Sequence, residues 1–307
     1  MTVKTPDSRA TSVRQRLLNL AKAHGEEFQR ILTRYALERL LYRLSVSDQK
    51  DRFLLKGALL LAVWSPEKHR PTKDLDLMGR GDPSRTRLEA VFRALCAMEG
   101  QDDGITYLAE TVVCAVIREE SEYGGLRITL AAKLGTAEIP VQVDVGFGDA
   151  ITPAPVEVEF PTLLNMPAPR LYAYPKETVV AEKFEAMVSL ELGNSRMKDF
   201  FDVWMLARDF PFDGATLSLA IEATFARRGT SLPLEPPVAL TSAFGEDSAK
   251  QMQWQAFRRR LVDPSIPDLG VVIGFLADFL QPILDAMSRQ QPFTAMWFPD
   301  SGWQTGE

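Results

Sequence analysis

Two stretches of this chain alternate strictly between apolar and polar positions. Asp74-Leu75-Asp76-Leu77 is one, and Val141-Gln142-Val143-Asp144-Val145 is the other. A period of two belongs to a β-strand, whose successive side chains point to opposite faces. The pattern therefore predicts that Leu75 and Leu77 enter a core while Asp74 and Asp76 share the other face, and that Asp144 projects away from its valines. Further strands are predicted at Thr111–Ile117, Leu126–Leu134 and Pro140–Phe147, separated by Glu119-Glu120-Ser121 with Tyr123-Gly124-Gly125 and by Gly135-Thr136. Helical spacing dominates elsewhere. The first 45 residues place Leu17, Leu20, Phe28, Ile31, Tyr35 and Leu41 near a helical period, and residues 53–64 form a Leu/Ala-rich run read as helix with Gly57 inside its first turn. Asp82-Pro83-Ser84 opens a helix over 85–98. Later helices are expected at Thr178–Leu192, Ser195–Arg208, 249–261 and 268–289. Ser65-Pro66 and Arg70-Pro71 mark a loop, residues 151–170 with five prolines read as an extended connector, and 229–242 as a Pro-rich loop. The reading is an α+β chain with a helical N-terminal segment (1–45), a strand-bearing core (46–170) and a mostly helical C-terminal domain (171–307).

Two carboxylates on one strand face repel unless a cation lies between them, and hard oxygen ligands suit Mg²⁺ or Mn²⁺ at about 2.1 Å. The competing reading of Asp-x-Asp is a solvated strand face. Should the strand carrying Asp144 lie beside the first, three acids converge, and three carboxylates can hold two divalent ions about 3.5–4 Å apart. Gly57 at a helix start would let backbone N–H groups approach phosphate oxygens. In Glu182-Lys183-Phe184, Lys183 lies at the rim of an apolar helix face, and Asp199 and Asp202 share one face of the next helix. A lysine there suits a triphosphate; a salt bridge between the two helices explains the same residues.

Composition narrows the classes. Of 307 residues, 46% are hydrophobic and 25% charged, enough for a sizeable core. No uninterrupted apolar run reaches 18 residues, and Met1 to Asp7 lacks the apolar stretch of a signal peptide, so no membrane partner is expected and the cytoplasm is the expected compartment. Cys96 and Cys114 read as buried thiols; with only His24 and His69 besides, zinc chemistry is not expected. The net charge of −6 argues against nucleic-acid binding by the whole surface. The charge is uneven, however. Residues 1–45 hold nine Lys/Arg against four acids, and 263–307 hold six acids against Arg289 alone. A polyanion at the basic end and a merely solvated amphipathic helix both fit those charges.

Taken together, Lys56-Gly57, Arg70-x-Thr72-x-Asp74-Leu75-Asp76, the strand ending Asp144-Val-Gly-Phe-Gly148-Asp149, Glu182-Lys183-Phe184 and Arg196-Met-Lys198-Asp199-Phe-Phe-Asp202 resemble the AbiEii-type nucleotidyltransferase toxins. The likeness covers roughly residues 50–208 in the right order. It implies a polymerase-β-like nucleotidyltransferase core, a mixed sheet with flanking helices, plus a helical domain. It further implies Mg²⁺ (or Mn²⁺), an NTP substrate, an RNA acceptor such as the 3' end of a tRNA, and a cognate antitoxin. By the same resemblance Asp74 and Asp76 bind metal with Asp144 as third carboxylate, and Asp74, Asp76, Lys183 and Asp199 are catalytic. Nucleotide contacts fall to Lys56, Gly57, Thr72, Lys183 and Asp202. One departure stands out: where the family's turn commonly has a second glycine and a hydroxyl, this chain reads Gly57-Ala58-Leu59. The same chemistry on a protein or small-molecule acceptor, and an inactive nucleotide- or partner-binding module, are the alternatives.

Overall fold

The structure, a computed structural model, describes residues 8–65, 70, 72–99, 101–117, 125–261 and 265–305. Lys4, Pro66, His69, Pro71 and the Glu119–Gly124 separator lie outside the described residues. The chain forms two compact units, Met1–Gly148 with Val156–Ala173, and Asp149–Pro155 with Tyr174–Glu307.

The first unit contains α1 (Ser8–His24), α2 (Phe28–Ser45), β1 (Phe53–Lys56), α3 (Leu59–Trp64), β2 (Asp74–Gly79) and α4 (Arg85–Cys96). Strands β3 (Ile105–Val116), β4 (Leu126–Leu134), β5 (Ala137–Phe147), β6 (Val156–Glu159) and β7 (Arg170–Ala173) follow. They build a seven-stranded sheet ordered β3-β4-β5-β2-β1-β7-β6. The sheet is mixed: β2 runs parallel to β5 and β1 to β7, and the remaining neighbours are antiparallel. Helices α1, α2 and α4 pack on it, and Leu75, Leu77, Val143 and Val145 are buried. The predicted α+β organisation is thus present.

Two expectations need correction. Residues 53–56 are a strand, because their apolar run inserts between β2 and β7; the chain turns at Gly57 and only 59–64 is helical. The proline-rich connector also contains strands, β6 and the start of β7. Its prolines flank these strands without interrupting their ladder, the position proline tolerates near a sheet edge.

Part of the basic count of the N-terminal helices is not a surface charge, although Arg16, Lys22 and Arg30 are exposed. Arg39 and Arg43 are buried. Arg43 donates to the Asp103 carboxylate at 2.7 and 3.2 Å, and Arg39 donates to the carbonyl of Pro167 at 3.1 Å. Glu38, also buried, accepts the Leu163 N–H at 2.7 Å. Burial pushes the Glu38 carboxyl up to about 7, against the pull of that N–H and of Arg39. These charges bind α2 to the β6–β7 connection and to the segment before β3. Arg9 and Arg14 are engaged too, the first on the Asp102 carbonyl and the second over the Phe28 ring.

The second unit holds α5 (Lys176–Leu190), α6 (Met197–Asp209), β8 (Phe212–Asp213), α7 (Gly214–Arg228), α8 (Ser242–Glu246), α9 (Ser248–Arg258), α10 (Leu269–Ser288), β9 (Met296–Phe298) and β10 (Gly302–Gln304). Helix α5 packs on α6 and α7, and α10 on α6 and α8. Among the described residues α10 alone is long and apolar enough to cross a membrane. Leu276, Phe279, Leu280 and Ile283 bury it in the core of this unit. Helix α7 escaped the sequence reading although its signals are there: Asp213 accepts the Thr216 N–H at 2.8 Å as N-cap, and Gly229 closes it in the left-handed conformation.

Candidate active site

Strand β2 places Asp74 and Asp76 on one half-exposed face, with Leu75 and Leu77 buried behind them. The neighbouring β5 pairs in register, Asp74 opposite Gln142 and Asp76 opposite Asp144. Ligand oxygens of Asp74, Asp76 and Asp144 consequently lie within 4.8 Å of one another. The convergence expected from two separate alternating stretches is therefore real. Carboxylates this close repel by an order of a few kcal/mol per pair at the effective dielectric of a protein surface. The donor set, three hard carboxylate oxygens at a sheet surface, fits a divalent cation of the Mg²⁺ or Mn²⁺ type.

Neighbouring strands set the remaining residues. Lys56 ends β1 opposite Asp76, and residues directly opposite on paired strands share a face. Thr72 donates its hydroxyl to the Asp74 carboxylate, which orients one oxygen of the pair. Gly57 follows with φ of +71°, and a Cβ there would overlap the Asp76 carboxylate and lie 2.6 Å from the Asp76 Cβ. Only glycine both adopts that backbone and leaves Asp76 its space.

One participant had no place in the sequence reading. Arg127 on β4 stands opposite Asp144. Its Nε donates to Oδ1 at 2.8 Å and its terminal nitrogen to Oδ2 at 2.7 Å. Those hydrogen bonds, with the charges of Asp144, Asp74 and Asp76, hold the guanidinium more firmly protonated than usual.

The second unit has its own cluster. Lys183 on α5 donates to Asp199 at 2.7 Å and lies 2.8 Å from Asp202, both on α6. Arg196 lies 2.6 Å from the other Asp199 oxygen. Both aspartates are 0% exposed and Lys183 13%. Burial works against the Asp199 carboxylate, but Lys183 and Arg196 outweigh it and hold its pKa below the usual range. Two cations against two anions leave this group neutral, and the surface salt bridge weighed from the sequence is here a buried network. Asp149, at the end of the second motif, accepts the Tyr174 hydroxyl at 2.6 Å. Burial, reinforced by Glu182 and Asp149, raises the Tyr174 phenol far above its ordinary range.

The mixed sheet gathers three carboxylates from adjacent strands on one half-exposed face, a donor set that could hold a divalent cation. The family described as nucleotidyl transferase AbiEii toxin of type IV toxin-antitoxin systems matches residues 39–277. The chain belongs to that family. None of the curated proteins compared with it matches. Two solved structures from Helicobacter pylori are similar. JHP933 is 14% identical, over 86% of this chain and 95% of that one, with a TM-score of 0.47. A second, provisionally named as a nucleotidyltransferase, is 14% identical over the same shares with a TM-score of 0.43. These likenesses are loose, and the family assignment does not rest on them.

Proposed function

We propose that this protein transfers a nucleoside monophosphate from an NTP to an RNA end, the 3' end of a tRNA being the acceptor, in a reaction that needs Mg²⁺ or Mn²⁺. The observation that carries the reading is the convergence of Asp74, Asp76 and Asp144 on one half-exposed face. The acceptor hydroxyl attacks the α-phosphorus in line; an O–P bond forms as the bond to the bridging oxygen breaks, and pyrophosphate leaves. Divalent cations, when bound by these carboxylates, supply activation of that hydroxyl and neutralise the triphosphate.

The chain's own residues prepare the site. Thr72 fixes the orientation of Asp74, and Gly57 keeps the space beside Asp76 clear. Lys56, on the same face, serves the triphosphate together with Gly57 and Thr72. Family membership supports Lys183 and Asp199 as catalytic and Lys183 and Asp202 as nucleotide contacts, and Asp199 accepts from Lys183 at 2.7 Å. It supports a cognate antitoxin as well.

Incubating the full chain with each α-labelled NTP, Mg²⁺ and either total tRNA or a protein extract tests the reading. Label in the RNA is the expected result. Label in protein would move the acceptor to another class, and no label in any arm would contradict transfer itself.

A further inference from the structure

The second unit carries a cleft of about 720 Å³ between α10 and the β9–β10 hairpin, a volume within the range of small-ligand sites. Phe275, Trp297 and Trp303 form its apolar wall. Both indole N–H groups are engaged elsewhere, on the carbonyls of Ala207 at 2.6 Å and Phe279 at 2.9 Å, so these rings offer the cleft carbon alone. The polar side chains of the lining are Asp278, Asp285, Asp300 and Gln281. Gln281 gives its amide nitrogen to Asp285 at 2.8 Å, while its amide oxygen is buried without a donor. Every polar side chain of the lining is thus an acceptor toward a ligand. No Lys or Arg among the described residues forms an ion pair with Asp278, Asp285 or Asp300, and residues 263–307 contain Arg289 as their single base.

Such a lining selects a ligand made of donors, and its spacing selects an extended one. Asp278 and Asp285 lie seven residues apart on α10 with Gln281 between them, about 10 Å along the axis and on one stripe of the helix. A single bare ion does not fit that separation: among the described residues, Asp74, Asp76 and Asp144 are the one trio of carboxylates close enough to share a metal. We propose that this cleft binds a linear polyamine, its ammonium groups paired with Asp278, Asp285 and Asp300 and its methylene stem laid against Trp297 and Trp303. An ammonium group donates and accepts nothing. Aromatic faces attract it, and the carbon chain between two such groups covers apolar surface. The site is independent of the transfer reading and draws on none of its residues.

Isothermal titration of the full chain with spermidine at physiological ionic strength, where general attraction to an acidic protein is screened, tests this without any measurement of activity. One spermidine per chain should bind, more tightly than putrescine, which is too short to reach both ends of the stripe. Asp278 and Asp285 are exposed, so Asp278→Asn combined with Asp285→Asn should keep the fold and weaken spermidine at least about fivefold. Asp74→Asn, on the sheet of the other unit, should leave its affinity unchanged. An equal loss in Asp74→Asn, or no binding by wild type, would overturn the proposal. A tetrapeptide with a lysine at each end that bound more tightly than spermidine would overturn it too, and would give the cleft to a basic segment of a protein partner.

Discussion

The two acidic clusters of this protein are built from the same residue and solve opposite problems. On the sheet of the first unit, Asp74, Asp76 and Asp144 crowd within 4.8 Å on a half-exposed face. Between α5 and α6 of the second unit, Asp199 and Asp202 are fully buried, and Lys183 and Arg196 neutralise them. The first cluster stores repulsion that an external cation would relieve. In the second the buried charges already pair with one another, and its removal costs stability first. A motif that unites these residues in sequence therefore mixes two physical roles.

The largest separation between them should appear on truncation. Asp74→Ala is expected to lower transfer at least about a hundredfold, the scale for losing one preorganised electrostatic group. Its unfolding midpoint in urea should equal or exceed that of wild type, because a repulsive charge is gone. Lys183→Met should do the reverse in stability, losing about 3–5 kcal/mol in urea unfolding as two buried carboxylates lose a shared cation. Adding Asp199→Asn and Asp202→Asn should recover part of that loss; no recovery would mean that Lys183 does not stabilise through this pair.

Smaller effects sharpen the contrast. Gly57→Ala forces a side chain into the left-handed region and against Asp76, at a cost of about 1–3 kcal/mol. Transfer should fall with it, and unaltered activity would show that Asp76 can move without consequence. Glu38 supplies the pH signature of a buried acid. Its folded pKa of about 7 lies above the ordinary carboxyl value, so the folded state binds the proton more tightly. That contribution is full at pH below the unfolded pKa and is lost as pH rises through about 7. Glu38→Gln should flatten the decline in stability between about pH 4.5 and 7, and an unchanged slope would place the decline on other groups.

How far these roles could be read in the sequence depended on how local their causes are. Alternation fixed the shared face of Asp74 and Asp76, because period two is a property of a few consecutive residues. Residues 53–56 were misread since a short apolar run without alternation suits a buried strand and a helix equally, and only its partners β2 and β7 decide. Arg127 was missed although a signal existed. The two-residue turn Gly135-Thr136 joins Leu134 to Ala137, and counting outward along that hairpin brings Arg127 opposite Asp144. The burial of Arg39 and Arg43 had no comparable signal: charge counts do not say which arginines meet a buried Asp103 or a Pro167 carbonyl.

The most direct test of the account is Mg²⁺-dependent transfer of an α-labelled nucleotide to tRNA by Asp76→Asn, which keeps the shape of the side chain and removes its charge. The account predicts that wild type labels RNA, and that this variant does not, although its melting temperature is no lower. Labelling at the wild-type rate under matched Mg²⁺ would contradict it, and the acidic face of the sheet would then be a solvated surface.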